Sequence, residues 1–429
     1  MGRIIVVGAG VVALGTAMLL ADDGHQVVVL ERDPEAQPAD PTEAWASWER
    51  PGLNQARMAH AFLGGFRAIV EAELPRVASA LDDAGALRLN FIRDVLPAHA
   101  TGGWRDGDDR YEWLTGRRVV VESVLAAAAE LTANVEIRRG TAVTGLICGS
   151  SALAGVPHVT GVRTRDGESI AADLVVDMSG RRSALPAWLA DIGARAPVEE
   201  LEDSGFLYFG RHFRSADGSL PPMMGPPQMS WGTITSLTLP ADNATWSVTV
   251  VAGSKDPAMR SLREADRWDA VVRSLPLVAH WLDGTPIDDG VQVMARLEDR
   301  YRGFVVDGKP PATGVVAVAD AWACSNPANG RGASISTDRH RLGEIEAGIR
   351  GETYDSPDGA YLLERALEAA MRRDPELVRA YLDIRMVLRA PEEVLTRPGL
   401  QDKILDLGSG WRDEPSLGPS RTQLLELVA

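Results

Sequence analysis

Arg3-Ile4-Ile5-Val6-Val7-Gly8-Ala9-Gly10-Val11-Val12-Ala13 opens the chain and decides how it folds. Ile4 to Val7 is a short apolar run, the text of a strand covered on both faces. Gly8-Ala9-Gly10 follows, then helical text through Thr16-Ala17-Met18-Leu19-Leu20. Gln26-Val27-Val28-Val29-Leu30 reads as a second strand, and Glu31 ends it. Each part has a physical job. Gly8 permits a tight turn, Gly10 lets the backbone approach a pyrophosphate, and Ala13 is small enough for the helix to pack on the strand. The free amides of the helix N-terminus attract phosphate. Glu31 suits an adenosine ribose without a 2′-phosphate. The stretch predicts a dinucleotide-binding βαβ unit.

Composition narrows the rest. With 429 residues the chain has room for two or three structural units. Its net charge of −16 repels phosphate backbones, which argues against a nucleic-acid partner. Two cysteines make neither a disulfide framework nor a cysteine zinc site, and the seven histidines show no paired spacing, so no metal is expected. No apolar run reaches the roughly 18 residues of a membrane span. The first strand begins at Arg3, which leaves no room for a cleaved leader, and the expected location is cytoplasmic.

Four further segments work outward from the opening. One is Arg50-Pro51-Gly52-Leu53-Asn54-Gln55-Ala56-Arg57-Met58-Ala59-His60. The next is Gly116-Arg117-Arg118-Val119-Val120-Val121-Glu122, running into a helix. Leu174-Val175-Val176-Asp177-Met178-Ser179-Gly180-Arg181 comes third. Last is Gly314-Val315-Val316-Ala317-Val318-Ala319-Asp320-Ala321, leading to Asn326-Pro327-Ala328-Asn329-Gly330-Arg331-Gly332-Ala333. In this order the motifs resemble those of the FAD-dependent monooxygenases of the aromatic-hydroxylase type, near the squalene and polyether epoxidase-like flavoproteins. The resemblance runs from about residue 3 to about residue 345.

That resemblance implies an α/β fold: a Rossmann-like FAD-binding domain interleaved with an antiparallel-sheet substrate domain, plus a helical C-terminal tail. The implied division is 1–195 with 290–345 for FAD, including a helical insertion at about 45–110. The substrate sheet would take 196–289 and the helical segment 346–429. For the cofactor it implies Gly8, Gly10 and Ala13 at the pyrophosphate, Glu31 at the ribose, and Arg118 opening a helix beside the cofactor. Asp177 and Gly180 match a motif serving FAD and the passage of NAD(P)H. Asp320 matches the acid that holds the ribityl chain. Pro327, Gly330, Gly332 and Ala333 match the loop beside the isoalloxazine, and Arg32 and Arg57 join the cofactor group. Ala319 stands where a glycine is usual.

The implied activity is insertion of one oxygen atom from O2, as a hydroxyl or an epoxide, into an apolar or aromatic small molecule through a flavin C4a-hydroperoxide. Electrons would come from NAD(P)H or a partner flavin reductase. Two alternatives stand beside it: an FAD-dependent dehydrogenase or reductase of an unsaturated substrate, and a non-catalytic flavin-binding protein. Flavin-dependent halogenases are disfavoured. They share an Asp-x-Ser-Gly-Arg element but use a lysine in the N-terminal portion, whereas the lysines here are Lys255, Lys309 and Lys403.

From about residue 204 the text alternates in the manner of antiparallel strands. Candidate strands are Phe206–Phe213, Met229–Leu237 and Thr245–Val251. Tyr208, Phe209, Met229 and Trp231 are the candidate substrate contacts. His60 follows a segment that passes near the flavin in the resembled family. No residue is assigned a catalytic role.

Overall fold

The computed structural model describes residues 1–53, 55–325, 335–413 and 417–429. Pro327, Gly330, Gly332 and Ala333 lie outside the described residues. The opening text folds as read: β1 (Arg3–Val7), α1 (Val11–Asp22) and β2 (Gln26–Leu30). A long excursion then leads to α2 (Arg118–Glu130) and β3 (Val135–Arg138). A hairpin region follows, and β4 (Leu174–Asp177) returns to the sheet.

Beyond β4 the chain builds a second sheet around β5 (Phe206–Arg214), β6 (Ile234–Ala241) and β7 (Thr245–Gly253). It comes back with β8 (Val315–Ala317). The first sheet therefore has the order β8-β4-β1-β2-β3, all parallel. α1 and α2 cover one face of it, where Leu14, Ala17, Met18, Val120 and Val124 pack with Val6 and Val29. β-branched residues dominate these strands because both faces are buried.

The second sheet is antiparallel. β5 pairs along its length with β7, and β7 with β6. The sequence text Met229–Leu237 is not one strand. Gly232 takes φ +73°, and Gln228–Ser230 turns back to pair with Thr235–Leu237 as a tight hairpin. Glycine alone reaches that φ without a steric penalty, so a period-two pattern concealed a turn.

Alternation assigns the sheet's two faces. Phe209 and Phe213 pack with Trp231, Trp246, Trp268 of α3 (Ala265–Arg273) and Leu424 of α7 (Arg421–Val428). Tyr208, Gly210 and His212 point the other way. Tyr208 sits with Met58, Val251 and Met294. The C-terminal region is helical, with α4 (Ile335–Arg350), α5 (Gly359–Ala370) and α6 (Pro375–Arg385) before α7. No described helix is long and apolar enough to cross a membrane.

Candidate cofactor and substrate site

The turn after β1 shows why it needs its glycines. Gly8 has φ +102°, and a Cβ there would lie 2.7 Å from the Met178 carbonyl oxygen. Its amide donates to the Leu30 carbonyl at 2.8 Å, which ties the turn to β2. Gly10 is the N-cap of α1, in extended backbone, with no side chain capping the helix. Nothing lies within 4 Å of where its Cβ would stand. The first turn of α1 holds no acidic side chain. The result is an amide-lined helix end that neither its own cap nor its first turn supplies with an anion. Ala13 is buried where α1 meets the sheet.

Glu31 is nearly buried and already engaged. One oxygen accepts from the Ala9 amide at 2.9 Å and the other from the Asp33 amide at 3.0 Å. It thus holds the phosphate turn in shape as well as ending β2. Arg50 reaches the same carboxylate at 3.5 Å, Asp33 at 3.6 Å and Glu122 at 3.0 Å. Arg118, at the start of α2, meets the other Glu122 oxygen at 2.8 Å. One buried chain of charges therefore runs from the turn to α2. Arg32 is largely exposed beside Asp33, and Arg57 pairs with Glu49 at 3.5 Å and lies over the Trp45 ring.

Asp320 sits in a short turn just beyond β8, at the carboxyl end of the parallel sheet. Its carboxyl is solvent-accessible yet hemmed in by protein. That crowding pushes its pKa up, while Arg118 and Arg181 pull it down. Asp320 and Arg118 thus share one electrostatic environment, as two side chains flanking a ligand would. Ala319 before it has φ +54°, the left-handed conformation that explains why glycine is usual there.

Asp177 closes β4 and is held by its own loop. It is fully buried, accepting from the Ser179 amide at 3.1 Å, the Ser179 hydroxyl at 2.6 Å and the Ser183 hydroxyl. The carboxylate shapes the loop that Gly8 rests on. Gly180 in that loop has φ +86° and open space at its Cβ position.

The four candidate substrate residues do not line one surface. Tyr208 faces the Met58 side of the sheet; Phe209, Met229 and Trp231 belong with the core on the opposite face. What the structure gathers instead escaped the sequence reading. Met58 lies against Gly210, whose Cβ would meet Met58 Cε at 3.3 Å and Thr249 Oγ1 at 3.1 Å. His60 and His212 share this side, and Arg118 and His212 both oppose a charge on His60. Burial is the larger cause, and together they push the His60 pKa down to about 3. Asp320, Arg118, His60 and His212 form a series of interacting groups from the parallel sheet to the antiparallel one. A recess of about 480 Å³, lined by Ser274, Gly418 and Gln423 among others, lies away from these groups.

Residues 3–120 match the family described as FAD dependent oxidoreductase. The chain carries an FAD-dependent oxidoreductase domain. The open helix end and the Glu31-braced turn have the chemistry to take a diphosphate. The flavoprotein is 27% identical over 361 residues to Protein Rv3254 of Mycobacterium tuberculosis (strain ATCC 25618 / H37Rv), covering 78% of this chain and 70% of that protein. Among solved structures it is similar to PqsL, a probable FAD-dependent monooxygenase from Pseudomonas aeruginosa. That match has 16% identity, a TM-score of 0.55, and covers 96% of this chain and 100% of PqsL. A flavoprotein/dehydrogenase from Cytophaga hutchinsonii gives 13% identity and a TM-score of 0.59, covering 96% of this chain and 99% of that one. The flavin-dependent brominase Bmp2 gives 16% and 0.52, covering 99% and 97%. At these identities the likeness is one of fold, and one fold hosts several reactions.

Proposed function

We propose that this oxidoreductase is an FAD-dependent monooxygenase acting on an apolar or aromatic small molecule. One atom of O2 enters the product and the other leaves as water, with two electrons from NAD(P)H or a partner flavin reductase. The observation that carries the reading is the inner face of the antiparallel sheet. Tyr208, Gly210, His212 and Thr249 face the side on which Met58 and His60 stand, and His60 interacts with Arg118. A sheet roof excludes water, as oxygen transfer requires.

The flavin supplies the redox chemistry when bound. The chain's own residues bind and orient it. The α1 amides, in the space left by Gly10, hold the pyrophosphate. Glu31 keeps the Ala9 amide in place, Asp320 accepts from the ribityl hydroxyls, and Arg118 supplies positive charge beside them. PqsL, described as a probable FAD-dependent monooxygenase, is similar in fold across nearly the whole chain.

The test is direct. Protein incubated with FAD and desalted is expected to keep the two visible flavin bands. A substrate screen under ¹⁸O2 is then expected to give a product carrying the label. Labelled product supports the proposal; anaerobic turnover with no label makes the chain a dehydrogenase or reductase instead.

A further inference from the structure

The strand Val198–Asp203 forms the edge of a small sheet. It pairs antiparallel with Glu298–Gly303, which pairs in turn with Ala323–Cys324 just past the Asp320 turn. Every residue of the edge strand is exposed. The Arg302 amide donates to the Trp322 carbonyl at 2.9 Å, away from the edge strand. In an antiparallel ladder the residue opposite, Glu199, therefore turns its own amide and carbonyl outward. By alternation Leu201 and Asp203 do the same. These groups have no backbone partner among the described residues, which leaves a template open for one more strand.

Two features say what would add there. The edge strand carries Glu199, Glu200, Glu202 and Asp203 and no cation. Glu199 is matched by Arg300 at 3.1 Å and Arg302 at 3.2 Å, and Glu202 by Arg339 at 2.6 Å. Glu200 lies exposed with no cation paired to it among the described residues. On the face that Glu200 shares, an apolar strip crosses the sheet: Val198, Tyr301 and Trp322 are 54%, 39% and 46% exposed. Val198 Cβ and Tyr301 Cε1 come within 3.8 Å of where a Cβ of Gly303 would stand. Tyr301 meets Trp322 edge-on, with centroids 5.9 Å apart. A strand charged only to keep copies of this chain apart gains nothing from exposed aromatic rings beside it. A second copy fits badly. In full antiparallel overlap Glu199 faces Glu202, and in parallel overlap each carboxylate faces its own counterpart. Cationic side chains fit both features, because they answer the carboxylates and rest on aromatic faces.

We propose that Val198–Asp203 is a docking edge for a partner protein that adds an extended, basic segment to this sheet. Main-chain hydrogen bonds to Glu199, Leu201 and Asp203 supply the hold. The segment's side chains alternate: cations toward Glu200 and Tyr301, apolar groups toward Leu201, where two arginines already neutralise Glu199. The docking edge is independent of the reaction the flavin carries out.

The probe is the fluorescein-labelled peptide Arg-Val-Arg-Val-Arg-Val, added to the full chain and followed by anisotropy and by amide hydrogen exchange. Saturable binding is expected, with exchange slowed at the amides of Glu199, Leu201 and Asp203. The amides of Glu200 and Glu202 already bond to the neighbouring strand and are expected not to change. Leu201→Pro deletes one outward amide, leaves the inner ladder alone, and is expected to weaken binding about fivefold or more. Glu200→Lys keeps the backbone intact and is expected to weaken it about threefold or more, which decides the matter even where the proline lowers the melting point. Absent binding, parent-like affinity in Glu200→Lys, equal affinity for Glu-Val-Glu-Val-Glu-Val, or unchanged exchange at the three amides each overturns the proposal. So do the other occupants. A parent dimer in sedimentation that Leu201→Pro dissociates assigns the edge to a second copy. Phosphatidylcholine vesicles that retain the parent and release Leu201→Pro assign it to a membrane.

Discussion

Ala319 holds φ +54° one residue before Asp320. A Cβ in the left-handed region costs roughly 1–2 kcal/mol, and glycine escapes it. Ala319→Gly is therefore expected to raise stability by about 1 kcal/mol, read as a higher urea midpoint at unchanged slope. An unchanged or lower midpoint would refute the strain. His60 makes a pH argument at the same scale. Its folded pKa is pushed down to about 3 from 6.5, first by burial and next by Arg118. The unfolded chain therefore binds a proton that the folded one refuses. This contribution is intact above pH 6.5 and is lost as pH falls from there toward 3. His60→Gln is expected to make the urea midpoint fall less steeply across that window than in the parent; parallel curves would show that His60 titrates normally.

The first βα turn carries the argument at the scale of an element. Gly8 and Gly10 look alike in the sequence and differ in the structure. Gly8 is pressed on the Met178 carbonyl at positive φ, whereas Gly10 has ordinary φ and open space. An aspartate at position 10 therefore fits, and its carboxylate can cap α1 itself. Gly10→Asp is expected to stabilise the apo-protein by a few tenths of a kcal/mol while abolishing flavin retention, because the new anion occupies the phosphate's place. Thermal melting and the visible spectrum after desalting check the two halves. A variant that melts higher and still retains flavin would move the pyrophosphate elsewhere. The Gly232 hairpin teaches the converse lesson: alternating text from Met229 to Leu237 reads equally well as one strand or as two strands folded back on each other.

At the scale of the molecule, the two sheets are joined by a buried ion pair. Arg117, next to Arg118 at the start of α2, meets Asp242 of the β6–β7 turn at 2.6 Å, with both side chains 1% exposed. The Asp242 carboxylate also accepts from the Arg117 amide at 2.6 Å. Removing one partner strands the other's charge away from water. Asp242→Ala is expected to cost about 3–5 kcal/mol in chemical denaturation. A loss below about 1 kcal/mol would show that the joint is solvated. Because Arg118 follows Arg117 directly, this joint also helps fix the position from which Arg118 influences the charges of Asp320 and His60.

The sequence by itself determined the dinucleotide-binding βαβ unit and the order of the flavin motifs. Those signals are local: a turn, a helix end and a strand end each need particular residue types within a few positions. It also exposed the alternation of β5 and β7. Only the tertiary structure decided which face of β5 Tyr208 and Phe209 each occupy, and that Asp177 is engaged by its own loop. It alone brought His212 to Asp288, Arg50 to three carboxylates and Arg117 to Asp242. Those partners stand 76, 72 and 125 residues apart for the pairs His212–Asp288, Arg50–Glu122 and Arg117–Asp242. No periodicity carries information over such spans. Contacts of that range are selected by the packing of one sheet on another, which a single sequence does not display.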